Sequence, residues 1–139
     1  KEIGSDVPFC MTGGTALSEG VGEILTPLPK ISENTIILVA KPNVYVSTAS
    51  VYGSLNAAKI AERPDTAGCI EAIKSGDTKG IAVRMYNVLE NITAAEHPII
   101  TDLKLQMIRL GAVGSVLSGS GPSVIGIYNT CGRLRNGGI

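Results

Sequence analysis

The densest apolar run in the chain is Thr35-Ile36-Ile37-Leu38-Val39-Ala40. It is short, rich in β-branched residues and uninterrupted by charge, which predicts a strand buried on both faces and central in its sheet. Two further extended runs, Ala112–Leu117 and Ser123–Tyr128, straddle a loop of serines and glycines. Thr15–Ser18 and Glu23–Leu28 flank Gly20-Val21-Gly22 and predict a hairpin, with Pro27 and Pro29 expected to end its pairing.

Elsewhere the apolar period lengthens to that of a helix. Ser47-Thr48 opens a predicted helix with Val51, Leu55 and Ala58 on one stripe, ending near Arg63-Pro64. Asp65 or Thr66 caps a short helix that Ser75-Gly76 terminates. From Asp77, the positions Ile81, Met85, Val88, Leu89 and Ile92 recur at helical spacing up to a stop at His97-Pro98. Pro98 suits the first turn of a last helix, whose Ile100, Leu103, Met107 and Leu110 are expected to face the core before Gly111 closes it. Met85 and Met107 fall on these stripes as core filler. The expected fold class is α+β, with helices packed on one face of a small antiparallel sheet.

Composition narrows the function classes. A chain of 139 residues with 44% hydrophobic content can bury the core of one domain. Twelve basic residues balance twelve acidic ones, and the basic ones are scattered, so binding to nucleic acid is not expected. One Phe, four Tyr and no Trp leave few rings for stacking bases. Cys10, Cys69 and Cys131 are odd in number and far apart, without metal-ligand spacing, and read as reduced thiols of a cytoplasmic protein. No apolar stretch is long enough to span a bilayer, so no membrane partner is expected.

Four groups of residues carry candidate chemistry. Ser118-Gly119-Ser120-Gly121-Pro122-Ser123 could set backbone N–H groups against an anion, its glycines removing the Cβ atoms that block close approach; the same residues also suit an ordinary turn. Asp6, among small and apolar neighbours in Gly4-Ser5-Asp6-Val7-Pro8-Phe9, is either a local cap or a chemically used carboxylate. Thr48 and Tyr52, four residues apart, share a helix face and can address one ligand; a helix cap and a half-buried ring are the structural alternatives. His97, beside Pro98, reads as a cap or surface residue.

The stretches Gly4–Phe9, Gly14-Thr15-Ala16-Leu17, Glu19–Glu23, Val46–Tyr52, Asn87-Val88-Leu89-Glu90 and Ser118–Pro122 stand in an order that resembles 4-diphosphocytidyl-2-C-methyl-D-erythritol kinases, members of the GHMP kinase superfamily. The resemblance runs from about Ile3 to Tyr128. It implies a ferredoxin-like C-terminal domain and transfer of phosphate from ATP, with Mg²⁺, to the 2-hydroxyl of the cytidine-bearing alcohol in non-mevalonate isoprenoid synthesis. Under it Asp6 is the base or aligner of that hydroxyl, ionised beside a lysine that this chain lacks. Ser118, Gly119, Ser120 and Gly121 form a second glycine loop that orders the phosphate site, and Thr48 and Tyr52 meet the substrate, the Tyr packing on its base. Asn87 and Glu90 also match the family pattern, but a place inside a helix assigns them a structural role. No residue is assigned to a metal.

The resemblance also implies an organisation: residues 1–30 as the end of an N-terminal kinase domain, 31–130 as the C-terminal domain, and 131–139 as an atypical tail. A further amphipathic helix belongs in that tail, yet its three glycines predict fraying. With no initiator Met and no Pro-x-x-x-Gly-Leu-Gly-Ser-Ser-like segment, the chain reads as an inactive C-terminal fragment. Its expected partners are a small-molecule substrate and the N-terminal half of the same protein, whose absence uncovers apolar surface and favours self-association. Two alternatives stay open: another GHMP kinase acting on a different small alcohol, and a non-catalytic α+β ligand-binding module.

Overall fold

The computed structural model describes residues 4, 6–56, 60 and 62–129. The elements run α1 (Val7–Thr12), β1 (Thr15–Glu19), β2 (Ile24–Leu28), β3 (Thr35–Ala40), α2 (Thr48–Ser54), α3 (Thr66–Ser75), α4 (Thr78–Ala82), α5 (Glu90–Glu96), α6 (Ile99–Arg109), β4 (Gly114–Leu117) and β5 (Val124–Asn129). The expected hairpin is β1–β2, with Thr15 opposite Leu28 and Glu19 opposite Ile24. Gly20 and Gly22, at φ 69° and 108°, take the left-handed turn positions that a side chain would strain. Pro27 does not end the pairing but sits within it, opposite Ala16. A two-stranded sheet leaves each strand one open edge, where a residue without an N–H is tolerated.

The main sheet is antiparallel in the order β3-β5-β4, with Ala40 and Leu117 both opposite Val124. Side chains alternate along a strand, so the apolar Val124 and Ile127, three apart, need cover on opposite faces. On one face α6 supplies it: Ile100 and Met107 pack with Ala112, Leu117 and Val124. Gly126 lies beneath Met107, where an added Cβ would come within 2.8 Å of Sδ. On the other face Ala72 of α3 and Ile81 of α4 pack on Ile127. There Gly114 meets Ala82 so closely that a Cβ would lie 2.9 Å from its carbonyl oxygen. The α+β class is as expected, but the helices cover both faces of the sheet instead of one.

It follows that β5, not β3, is the central strand buried on both sides. β3 lies at an edge, with Ile36, Ile37, Leu38 and Val39 between 46% and 59% exposed. An unbroken apolar run demands a strand, but hydrogen-bond pairing chooses its neighbours; the helices reach only the two ends of β3, α6 packing on Ala40 and Thr78 of α4 sharing a hydrogen bond of 2.8 Å with Thr35.

The helices follow their capping signals more closely than their apolar stripes. Asp65 caps α3 through Gly68 N–H at 2.9 Å, and Gly76 closes it at φ 69°. α2 stops at Ser54 because Leu55 turns extended (φ −73°, ψ 118°), so the helix falls short of Arg63; Ala58 lies outside the described residues. The single helix expected from Asp77 to Glu96 is two, α4 and α5, joined by a non-helical stretch. Leu110, at the C-cap of α6, is 60% exposed and does not join the core.

The bare apolar edge of β3 makes a prediction. Val39→Lys sets a charge on a strand, Thr35–Ala40, that carries none, and a charge on an edge opposes edge pairing. Sedimentation velocity is expected to show less self-association than the unchanged chain, with stability altered by no more than about 0.5 kcal/mol, the usual effect of a surface substitution. Equal association of both proteins would show that another surface drives it.

Candidate functional site

Leu117 ends β4 and Val124 begins β5; between them Ser118 N–H donates to Ser123 O at 2.8 Å and Gly121 N–H to Ser118 O at 2.9 Å, closing a tight loop. Gly119 and Gly121 have φ values of 56° and 93°. A side chain at Gly121 would be strained and would also meet Leu117 Cδ1 at 2.9 Å.

Side chains from the α4–α5 connection and from α5 secure this loop. Asn87 Nδ2 donates to Leu117 O at 2.8 Å and to Gly119 O at 2.7 Å, and Thr93 Oγ1 donates to Ser120 O at 2.9 Å. Leu117 N–H donates to Glu90 Oε2 at 2.8 Å, while Lys104 of α6 pairs with Glu90 Oε1. From a third direction, Thr48 Oγ1 at the start of α2 shares a hydrogen bond of 2.8 Å with Ser120 Oγ. The carbonyls of Leu117, Gly119 and Ser120 are thus bound to side chains behind the loop. The N–H groups of Gly119 and Ser120 have no acceptor among the described residues. Adjacent unpaired amides of this kind attract an oxyanion.

A cavity of about 550 Å³ borders the loop at Gly119; Tyr52, Leu55, Met85 and Val116 give it apolar and aromatic walls. Asp65 and Arg84 also line it, paired at 2.9 Å. The Gly68 amide and the Arg84 guanidinium hold the Asp65 carboxyl below its usual range. A second cavity of about 430 Å³ shares Leu55, Tyr86 and Val88 with the first.

The structure brings together most of the residues singled out in the sequence. Thr48 touches Ser120, and Tyr52, one turn further along α2 and 58% exposed, lines the cavity that Gly119 borders. Asp6 stands apart. It occupies the exposed N-cap position of α1 without a side-chain capping bond and lines neither of these cavities. Asn87 and Glu90 are not interior to a helix: Asn87 precedes α5 and Glu90 opens it. Asn87 Oδ1 accepts Leu89 N–H at 2.9 Å, a local bond that competes with helix formation. His97 is the C-cap of α5. Thr93 and Lys104 escaped the sequence reading, although Asn87, Glu90 and Thr93 recur at a spacing of three that would have placed them on one side. Among the described residues no cluster of three or more His, Cys, Asp or Glu could hold a metal, and no helix is long and apolar enough to cross a membrane.

Residues 69–133 match the family model of the GHMP kinases C terminal. Over that stretch, a little under half of its length, the chain is similar to the C-terminal domain of GHMP kinases. Solved structures of similar fold include a 4-(cytidine 5'-diphospho)-2C-methyl-D-erythritol kinase (TM-score 0.72, 29% identity, 90% of this chain and 44% of that one). A homoserine kinase from Cytophaga hutchinsonii shares the fold at TM-score 0.76 and 25% identity, over 90% of this chain and 42% of that one. Curated relatives that match over most of this chain are named 4-diphosphocytidyl-2-C-methyl-D-erythritol kinase. The protein from Alkaliphilus oremlandii is 49% identical over 96% of this chain and 46% of its own length. That from Acetivibrio thermocellus is 51% identical over 92% of this chain and 45% of its own length. The chain therefore spans a little under half the length of these relatives.

The Asp65 interactions give a pH prediction. A carboxyl whose folded pKa is depressed contributes stability that is complete above its unfolded value and is lost as pH falls through the lower folded value. Asp65→Asn keeps a capping acceptor for Gly68 while removing the charge that faces Arg84. Urea denaturation is expected to show the variant less stable at neutral pH, with the gap closing below about pH 4. A gap independent of pH would assign the loss to altered capping.

Proposed function

We propose that this chain forms part of an ATP-dependent kinase whose substrate is 4-diphosphocytidyl-2-C-methyl-D-erythritol, phosphorylated at its 2-hydroxyl. The observation that carries the reading is the Ser118–Gly121 loop, with the carbonyls of Gly119 and Ser120 tied back and the amides of the same two residues without an acceptor among the described residues, beside an apolar cavity walled by Tyr52. Those amides suit phosphate oxygens, and fixed dipoles of this kind stabilise the charge that spreads in phosphoryl transfer. The names of the relatives, at 46–51% identity, support the choice of substrate.

ATP, when bound, supplies the phosphoryl group, with Mg²⁺ travelling on its phosphates and no residue of this chain assigned to the metal. Ser118, Gly119, Ser120 and Gly121 order the phosphates; Tyr52 offers a face to the cytosine ring, and Thr48 holds Ser120 one helical turn away. Asp6 accepts or aligns the proton of the substrate hydroxyl. It does so beside a lysine from elsewhere in a longer polypeptide, for which the length of the relatives leaves room. On this reading residues 1–30 belong to the nucleotide-binding half and residues 31–130 to the GHMP C-terminal domain. The homoserine kinase likeness favours a second reading, a GHMP kinase for another small alcohol.

A chimera separates these readings. This chain replaces the matching part of the Alkaliphilus oremlandii relative, and ADP formation is followed with the cytidine-bearing alcohol or with homoserine. Turnover of the cytidine compound is expected, and Asp6→Asn in the chimera is expected to lower kcat by about 10²–10⁴ with KM little changed. A folded chimera that turns over homoserine alone supports the second reading, and one in which Asp6→Asn keeps full activity removes Asp6 from the chemistry.

A further inference from the structure

Asn87, Glu90 and Thr93 are three residues apart in turn, and all three engage the backbone from Leu117 to Ser120. We infer that this Asn-x-x-Glu-x-x-Thr side of the α5 entry is a positioning device that sets which way the amides of the Ser118–Gly121 loop point, and so creates its affinity for a polyphosphate. The inference rests on reading that loop as the phosphate site, and adds the residues that make it one.

The bonds divide by sign. Asn87 and Thr93 spend their donors on the carbonyls of Leu117, Gly119 and Ser120, removing from the loop the partial negative charges that would repel an anion. Glu90 takes the N–H of Leu117, one residue before the loop, and none from Gly119 or Ser120. Both amide hydrogens and the oxygen of Asn87 are used, so its orientation is determined: a flipped amide would aim donors at the Leu89 N–H. Lys104 neutralises Glu90 on the side away from the Leu117 bond, so the carboxylate that anchors the strand does not oppose a phosphate with a full charge. Thr93 is fully buried, and its methyl lies where it limits the loop at Gly121. It therefore both packs and donates.

Those two contributions of Thr93 can be separated by substitution. Thr93→Val keeps the shape and removes the donor; Thr93→Ser keeps the donor and removes a methyl from the core. The full 139-residue chain, labelled with ¹⁵N, is titrated with ATP while the amide signals of Gly119 and Ser120 are followed. In the unchanged chain both signals are expected to move. Thr93→Val and Asn87→Asp should weaken the response at least about tenfold, and Thr93→Ser should restore it to within about threefold despite a lower melting temperature. Affinity that follows melting temperature instead of the donor overturns the positioning role while leaving the loop as the phosphate site. Silence of both amides in the unchanged chain overturns the loop reading and this inference with it. If Thr93→Val loses its folded circular dichroism spectrum, Asn87→Asp, at a half-buried position, decides the matter by the same two signals.

Discussion

β4 is an edge strand, so the backbone groups on its outer side must find partners other than a neighbouring strand. At Leu117 they are met by side chains: Glu90 accepts its N–H and Asn87 donates to its carbonyl. A pair of side chains here replaces a strand, and unlike a strand it ends at once. The chain is held in register up to Leu117 and then released into a loop whose shape Asn87 and Thr93 set from the same side. The loop, the cavity beside it and the contact with α2 all depend on this substitution of side chain for backbone.

The parts of the fold that were legible are those decided by neighbours in sequence. The hairpin follows from Gly20 and Gly22, which admit positive φ without the strain a side chain would bring, and α3 follows from Asp65 and Gly76 at its ends. What could not be read was decided at long range. The apolar run at β3 and that at β5 place similar demands on burial, and only the pairing order reveals that β5 lies between its neighbours and β3 outside. The helix expected through residues 83–89 failed for a related reason. Its apolar spacing is real, but Asn87 gains more from two loop carbonyls 30 and 32 residues away than the backbone gains from continuing the helix.

The candidate site divides along the same line. The glycines of the loop and the Thr48–Tyr52 spacing were visible as types and intervals, and the fold places them side by side. Asp6 was visible as a chemical type alone. Its neighbours in sequence place it at a helix start, and no hydrogen bond among the described residues ties it to the loop. The role proposed for it therefore depends on groups supplied by a longer polypeptide, whereas the roles proposed for the loop and its supports can be tested within this chain.

The even charge balance acquires a physical meaning at this point. An oxyanion can be held by mobile cations on long side chains or by backbone dipoles fixed in place, and the first route calls for clustered Lys and Arg. Here the lysine and arginine beside the loop and its cavity are already engaged, Lys104 by Glu90 and Arg84 by Asp65. They serve to fix the framework, and the backbone donors of Gly119 and Ser120 have no acceptor among the described residues. Dipoles held by a rigid frame need no reorganisation when charge develops, but each contributes little unless its direction is right. A site of this kind gains its strength from the groups that aim the amides, and for that reason the side chains behind the loop matter as much to the chemistry as the glycines within it.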